Sequence, residues 1–306
     1  MVESEESLSV GQGRHETVAE YAGIEQANET PKDIAPKFIP PKDKFFGLRV
    51  QVRRHKSALL GIAGVIVFFA IWEIGHYMMP EVKRRFLPSV EHVIATLFYL
   101  LVHKGFIHDI ATSCYRVFVS FFAASAIAIP LAIGMGCFAH LRSTVNPTTS
   151  GFRYLPAASF IPLLLVWFGP TDLAKMGLLF IGVIFFLIAL ILDNTEAVPT
   201  EFIEASLTMG ASPRQVVFGV IVPAVAPAVL DSMRNMIAVA WTYLVIAEIV
   251  GAQDGIGAVM MRAGRFLHVD IIMAGIFTIG VLGVLTDLLF RATSRFFFKW
   301  NSPQRG

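Results

Sequence analysis

Cysteine is nearly absent: there are 2 in 306 residues. Cys114 and Cys137 lie in or at the ends of apolar runs, which reads as small apolar filler and excludes a disulfide framework. Charge is scarce too. Charged side chains are 16% of the chain and the net charge is +2, too little for the electrostatic footprint of a nucleic-acid-binding protein. There is no Gly-rich loop ending in Gly-Lys-Ser/Thr to cradle phosphates, so ATP hydrolysis is not expected of this chain. His103 and His108 have no further ligands spaced to complete a metal site, and no Ser/His/Asp set stands out. No catalytic, metal or cofactor-binding residues are therefore expected. The first 40 residues hold no apolar core of the kind a secretory signal carries, and none is expected.

Apolar length is what the sequence has in abundance. It is 55% hydrophobic with a mean hydropathy of +0.64, and runs of about 20 apolar residues can cross a bilayer. Spanning segments must satisfy their own backbone polar groups, so they are read as helices. The expected fold class is an all-α integral membrane protein with about six transmembrane helices, over residues 58–79, 111–138, 145–168, 176–192, 216–250 and 271–293. The third is interrupted by Pro156 and Pro162, which remove helix hydrogen bonds. The fifth is too long for one straight span, so part of it is expected to project beyond the membrane. Residues 89–102 are apolar but too short to span, and are read as an interfacial helix.

Three regions follow from composition. Residues 1–41 are rich in Glu and then Pro, and are expected to be a disordered acidic tail. Residues 42–57 form a basic juxtamembrane segment, where Lys42, Lys44, Arg49, Arg53, Arg54 and Lys56 are interleaved with Phe45, Phe46 and Leu48. Residues 58–300 are the transmembrane domain. Lys and Arg accumulate on the cytoplasmic side, so the basic segment sets a cytoplasmic N-terminus. Six spans return the C-terminus to that side, where Arg291, Arg295, Lys299 and Arg305 agree. Lys83, Arg84 and Arg85 would then fall outside, against the rule.

Ionisable residues inside a membrane are costly and are functional candidates. Glu73, Arg116, Arg234, Glu248 and Asp287 are the main ones. Arg116 is expected to pair with a carboxylate or snorkel. Asp231 and Arg234, three apart, can pair on one helix face. Glu248 is read either as a pathway group or as a packing partner of the loop GAQDGIG. Trp241 and Tyr243 on the fifth span, with Phe160, Pro162 and Trp167 on the third, are candidates to line a translocation path.

The cytoplasmic segment 193–215 contains the stretch EFIEASLTMGASPRQV. Thr200 offers an N-cap for a short helix, Gly210 a stop at positive φ, and Ser212-Pro213 with Gln215 a capping box with proline at the first helical position. Helix, sharp turn, helix makes a rigid element at a membrane surface, which is what transmission of movement requires.

The string E-A-S-x-x-x-G from Glu204 to Gly210, followed by Ile-Val-Pro ending at Pro223, resembles the EAA signature of permease subunits of binding-protein-dependent ABC importers. Ser206 stands where that family usually has Ala, and Val222 where it usually has Leu. FLPS at 86–89, RVFVSF at 116–121, IPLLLVWFG at 161–169, AWTYLVIAEIVGAQDGIG at 240–257 and GVLGVLTDLLFR at 280–291 resemble the nitrate/sulfonate/taurine/bicarbonate branch. The resemblance implies a type I importer permease fold of the bacterial inner membrane. It implies a coupling helix, with Glu201, Glu204, Ala205, Ser206, Gly210 and Ala211 docking on a separate ATPase that carries ATP and Mg. It also implies a second permease chain, an extracytoplasmic solute-binding protein, and a small anion as cargo. The alternative is a secondary transporter or channel without an ATPase. That reading predicts an internal repeat, and the two halves show none that convinces.

Overall fold

Proline decides where the apolar chain breaks, and hydroxyl groups decide how it stays bonded between breaks. The computed structural model describes residues 54–250 and 253–298. The described elements are helical, in the order α1 (Arg54–Met78), a 3-10 turn (Glu81–Phe86), α2 (Val90–His103), α3 (Phe106–Cys137), α4 (Ala139–Phe152), a 3-10 turn (Ala157–Phe160), α5 (Ile161–Phe168), α6 (Asp172–Glu196), α7 (Thr200–Thr208), α8 (Pro213–Val216), a π-helical turn (Val217–Ile221), α9 (Val222–Ile249), α10 (Ile256–Arg265) and α11 (Val269–Phe297). The predicted tail 1–41 and residues 42–53 of the basic segment lie outside the described residues. Helix α1 already runs at Arg54, so the basic flank enters the first span earlier than the expected boundary at 58.

Two compact units divide the chain, 1–65 and 66–306. The described part of the first is the opening of α1, whose side chains from His55 to Val65 are exposed. Every contact below lies within the second unit.

Five described helices are long and apolar enough to span a membrane, His55–Met78, Phe106–Cys137, Asp172–Glu196, Pro213–Ile249 and Val269–Phe297. The sixth expected span is α4 with the segment Ala157–Phe168, bent by 86°. Pro156 occupies the cap position of the turn at that break. Pro162 sits in the first turn of α5, where its missing N–H costs nothing, so it starts a helix and does not break one. The apolar segment after Ser89 is the short helix α2, and the Ser89 hydroxyl accepts a hydrogen bond from His92 N at 3.3 Å.

The core is built by α3, α6 and α9. Ala124, Ala128 and Ala132 form a fully buried row at four-residue spacing on α3, the small-residue pattern that lets helices approach closely in lipid. Among these three helices approach is close where a Cβ at Gly136 would lie 2.5 Å from Thr195 of α6, and where one at Gly182 would lie 2.6 Å from the Tyr243 ring of α9. Buried hydroxyls satisfy themselves on their own helix: Ser120 donates to Arg116 O at 2.7 Å, Ser125 to Phe121 O at 2.8 Å, and Thr195 to Ile191 O at 2.7 Å.

These contacts also fix which ends lie together. Gly136 and Thr195 bring the C-terminal ends of α3 and α6 to one side, and α7 follows α6 there. Arg116, Asp172 and Glu248 meet at the other side, with the N-terminal ends of α3 and α6 and the C-terminal end of α9.

Candidate functional site

At the α7 end the chain forms a corner. Pro199 occupies the N-cap position and Thr200 is already helical, so the helix starts one residue earlier than expected, with no side-chain cap bond. Gly210 has φ +85°. Around it Ala211 N donates to Ser206 O at 3.1 Å and Gly210 N to Leu207 O at 2.9 Å, the paired bonds of a Schellman stop. Two residues on, Ser212 N donates to the Gln215 side-chain oxygen at 2.8 Å and the Ser212 hydroxyl to the same oxygen at 2.9 Å. Pro213 begins α8. Both sides of the turn are therefore fixed by hydrogen bonds.

No residue of α7 is buried. Glu201, Glu204 and Ala205 are exposed, Ser206 and Ala211 half-buried, and Phe202, Leu207 and Met209 are 55%, 49% and 81% exposed. Isolated helices this short are not stable on propensity alone. The Schellman bonds close its end, and within it Ser206 Oγ donates to Phe202 O at 2.7 Å and Thr208 Oγ1 to Glu204 O at 2.8 Å. The result is a pre-ordered helix with two carboxylates and three large apolar side chains available to a partner.

At the opposite end charges turn inward. Arg116 is fully buried. Its Nη1 donates to Glu248 Oε1 at 2.7 Å and to Asp254 O at 3.0 Å, its Nη2 to Asp172 Oδ1 at 2.6 Å and to Asp254 Oδ1, and its Nε to Asp172 Oδ1 at 3.0 Å. Glu248, also fully buried, accepts further bonds from the Ser113 hydroxyl at 2.8 Å and Gly257 N at 2.8 Å. Ser113 in turn accepts from Ile256 N at 3.0 Å, and Asp109 from Gly255 N at 2.8 Å. Gly255 has φ +102°, and a Cβ there would strike the Glu248 carboxylate. Lys175 Nζ reaches Asp172 at 3.1 Å. In the loop, the hydrogen bond from Arg116 holds the Asp254 carboxyl below its ordinary range. One guanidinium thus ties α3, α6, α9 and the loop leading into α10 together.

Glu248 packs against the described part of that loop and accepts hydrogen bonds from Gly257 N, Ser113 and Arg116, the packing role of its two readings. Arg116 pairs with carboxylates. Asp231 and Arg234 pair at 3.4 Å, and Arg234 also faces Asp287 at 3.4 Å. Sequence reasoning missed Asp172, Lys175 and Asp254. Lys175 fell one residue before the expected start of its span, yet it is 6% exposed. Among the path candidates, Pro162 is exposed and Trp167 is 64% exposed, whereas Phe160 and Tyr243 are half-buried against the core. Trp241 is 3% exposed, with its indole N–H on Thr286 Oγ1 at 3.3 Å. The structure gathers Trp241, Tyr243 and Glu248 on α9 but does not place all six around one opening.

The described residues form an all-helical polytopic fold with one ordered, exposed helix at one end. Residues 126–299 match the family of binding-protein-dependent transport system inner membrane components. The chain belongs to that family and is a multi-pass inner-membrane protein. It is 31% identical over 251 residues to a taurine transport system permease protein of Escherichia coli, covering 80% of this chain and 91% of that one. A putative ABC transporter permease of Methanocaldococcus jannaschii is 31% identical over 265 residues, covering 85% and 98%. In fold, the chain is similar to a chain of a bacterial ABC transporter involved in import of the polysaccharide alginate, with TM-score 0.54, 16% identity, and coverage of 80% and 95%.

Proposed function

We propose that this chain is the transmembrane permease subunit of an ATP-driven importer for a small anion, with α7 as its coupling helix. The observation that carries the reading is the exposed α7 held rigid between a Schellman stop and a capped α8. Two copies form the pathway. Two ATPase chains beneath them, carrying ATP and Mg, receive Glu201, Glu204, Ala205 and Ser206, with Gly210 and Ala211 setting the corner. A solute-binding protein delivers cargo on the opposite side. The α7 end faces the cytoplasm, and so, in this reading, do both termini. ATP-driven closure of the ATPases moves α7, and α7 moves α9, to which it is joined through α8. Such a cycle works only if the ATPase binds the two permease states with different affinity. Pro162 and Trp167 offer pathway surface, backed by Phe160 and Tyr243, while Trp241 and Glu248 hold α9 from behind. The taurine permease relative supports a sulfonate, with nitrate and bicarbonate as the other members of the anion class.

The test is Gly210→Val. A Cβ there meets nothing within 4 Å, so the variant's only penalty is positive φ on a β-branched residue. Membrane insertion is expected to be normal, and ATP-driven uptake and ATPase co-purification are expected to be lost. Full uptake would overturn the coupling role and favour a transporter that needs no ATPase.

A further inference from the structure

The basic residues that contradict the positive-inside pattern, Arg84 and Arg85, line a cavity of about 670 Å³ together with His76, His92, His268, Ser89 and Asp270. It lies at the end of the second unit away from α7, because Asp270 opens α11 and α10 before it is bonded to the Arg116 end. Two full positive charges face one carboxylate there. That carboxylate is already engaged: Asp270 accepts from Thr96 at 3.1 Å and lies 3.8 Å from His92 Nε2. Glu73, on the neighbouring α1, accepts from Val90 N at 3.1 Å. The arginines are barely compensated. Arg84 reaches Glu81 only at 4.0 Å, and its Nε is buried with no hydrogen-bond partner among the described residues. Arg85 stacks its guanidinium over Phe86 at 5.5 Å, leaving its donors free of that ring. His76 Nδ1 donates to Leu87 O at 2.6 Å, which fixes the ring. The wall is strained as well: Leu267 has φ +59° and is the non-glycine residue at positive φ among the described residues.

Planar arginine donors fit oxyanions, and those of Arg84 and Arg85 are only partly engaged within the protein. We infer that this cavity is an oxyanion site whose ligand, a phosphate- or sulfonate-type group, bonds the Arg84 and Arg85 guanidinium groups beside His268. The group can come from two sources. Phe266 and Leu267 on the cavity wall are 74% and 63% exposed, and Tyr77, Met78 and Val82, close in sequence to its His76 and Arg84, are 66%, 80% and 76% exposed, which suits acyl chains beneath a phospholipid headgroup. A free oxyanion in the extracytoplasmic space fits the same donors.

The experiment is calorimetric titration of the purified full-length chain in nonionic detergent with sodium sulfate and, separately, dioctanoyl phosphatidylglycerol. It uses no ATPase and no uptake, so its failure is distinguishable from failure of the importer reading. At least one probe is expected to bind. The double variant Arg84→Gln/Arg85→Gln is expected to weaken it by roughly tenfold or more, while Lys83→Gln, which removes a neighbouring charge outside the cavity, changes it by less than about twofold. Lipid alone binding assigns the headgroup source, sulfate alone the free anion, and competition between them one shared site. If the double variant is unstable, His268→Asn is expected to give a weaker loss of the same sign. Absence of binding by both probes, or equal loss with Lys83→Gln, overturns the site.

Discussion

The two ends of the transmembrane unit are built on opposite principles. At the α7 end the backbone is saturated and the side chains are free: the corner closes its own amides and carbonyls and presents Phe202, Leu207, Met209, Glu201 and Glu204 outward. In the Arg116 cluster at the other end the side chains are saturated instead: five polar groups from three helices and a loop bond one another. The first arrangement suits transient docking, because the helix is ordered before the partner arrives. The second suits a hinge plate that must hold three helices in register while the other end moves.

Breaking that contrast should be most visible at Arg116. Arg116→Ala leaves Glu248 buried without its counter-charge, and a cost of about 3–5 kcal/mol is expected. The readout is loss of the monodisperse detergent-solubilised protein, or a collapse of its melting temperature. An unchanged melting curve would show that the cluster is dispensable to the fold. At the corner the expectation reverses. Phe202→Ala should shift stability by no more than about 0.5 kcal/mol, since the ring is 55% exposed, yet reduce ATPase co-purification sharply. If stability fell and co-purification did not, α7 would be a packing element.

The smallest effect concerns acid. Asp254 is held below its ordinary range chiefly by the Arg116 hydrogen bond, so the unfolded chain binds more protons there than the folded one as pH falls. Its contribution to stability is complete above the unfolded value of about 3.9 and is lost as pH drops through the lower folded value. Because Asp254 is 43% exposed, solvent screens the effect. Melting temperature measured from pH 6 down to 3 should fall less steeply for Asp254→Asn than for the unaltered protein, and identical slopes would place the acid lability elsewhere.

The difference between the ends also explains what could be read in advance. The corner was legible because its signals are local: Gly210, Ser212, Pro213 and Gln215 lie within six residues of one another. The break at Pro156 was legible for the same reason. The cluster was only half legible. Arg116 and Glu248 announce themselves as charges in apolar runs, but Arg116 meets Asp172 and Asp254 across separations of 56 and 138 residues, and no short-range pattern encodes that meeting. Thr200 shows the limit even locally, since proline before it took the cap position. The path candidates depended on which face of α9 turns inward, and packing of Tyr243 over Gly182 and of Trp241 on Thr286 decided that.

Length has a consequence of its own. The run Pro213–Ile249 is 37 residues, or ~55 Å of continuous helix at 1.5 Å per residue, against a hydrocarbon layer of about 30 Å. Clamped near Glu248 and joined to the corner at Pro213, it is a long arm. Rocking by about 5° would sweep the far tip through ~5 Å, close to the rise of one helical turn. The amplification is set by arm length alone, so a displacement of that size imposed on the corner requires only a slight tilt at the clamp.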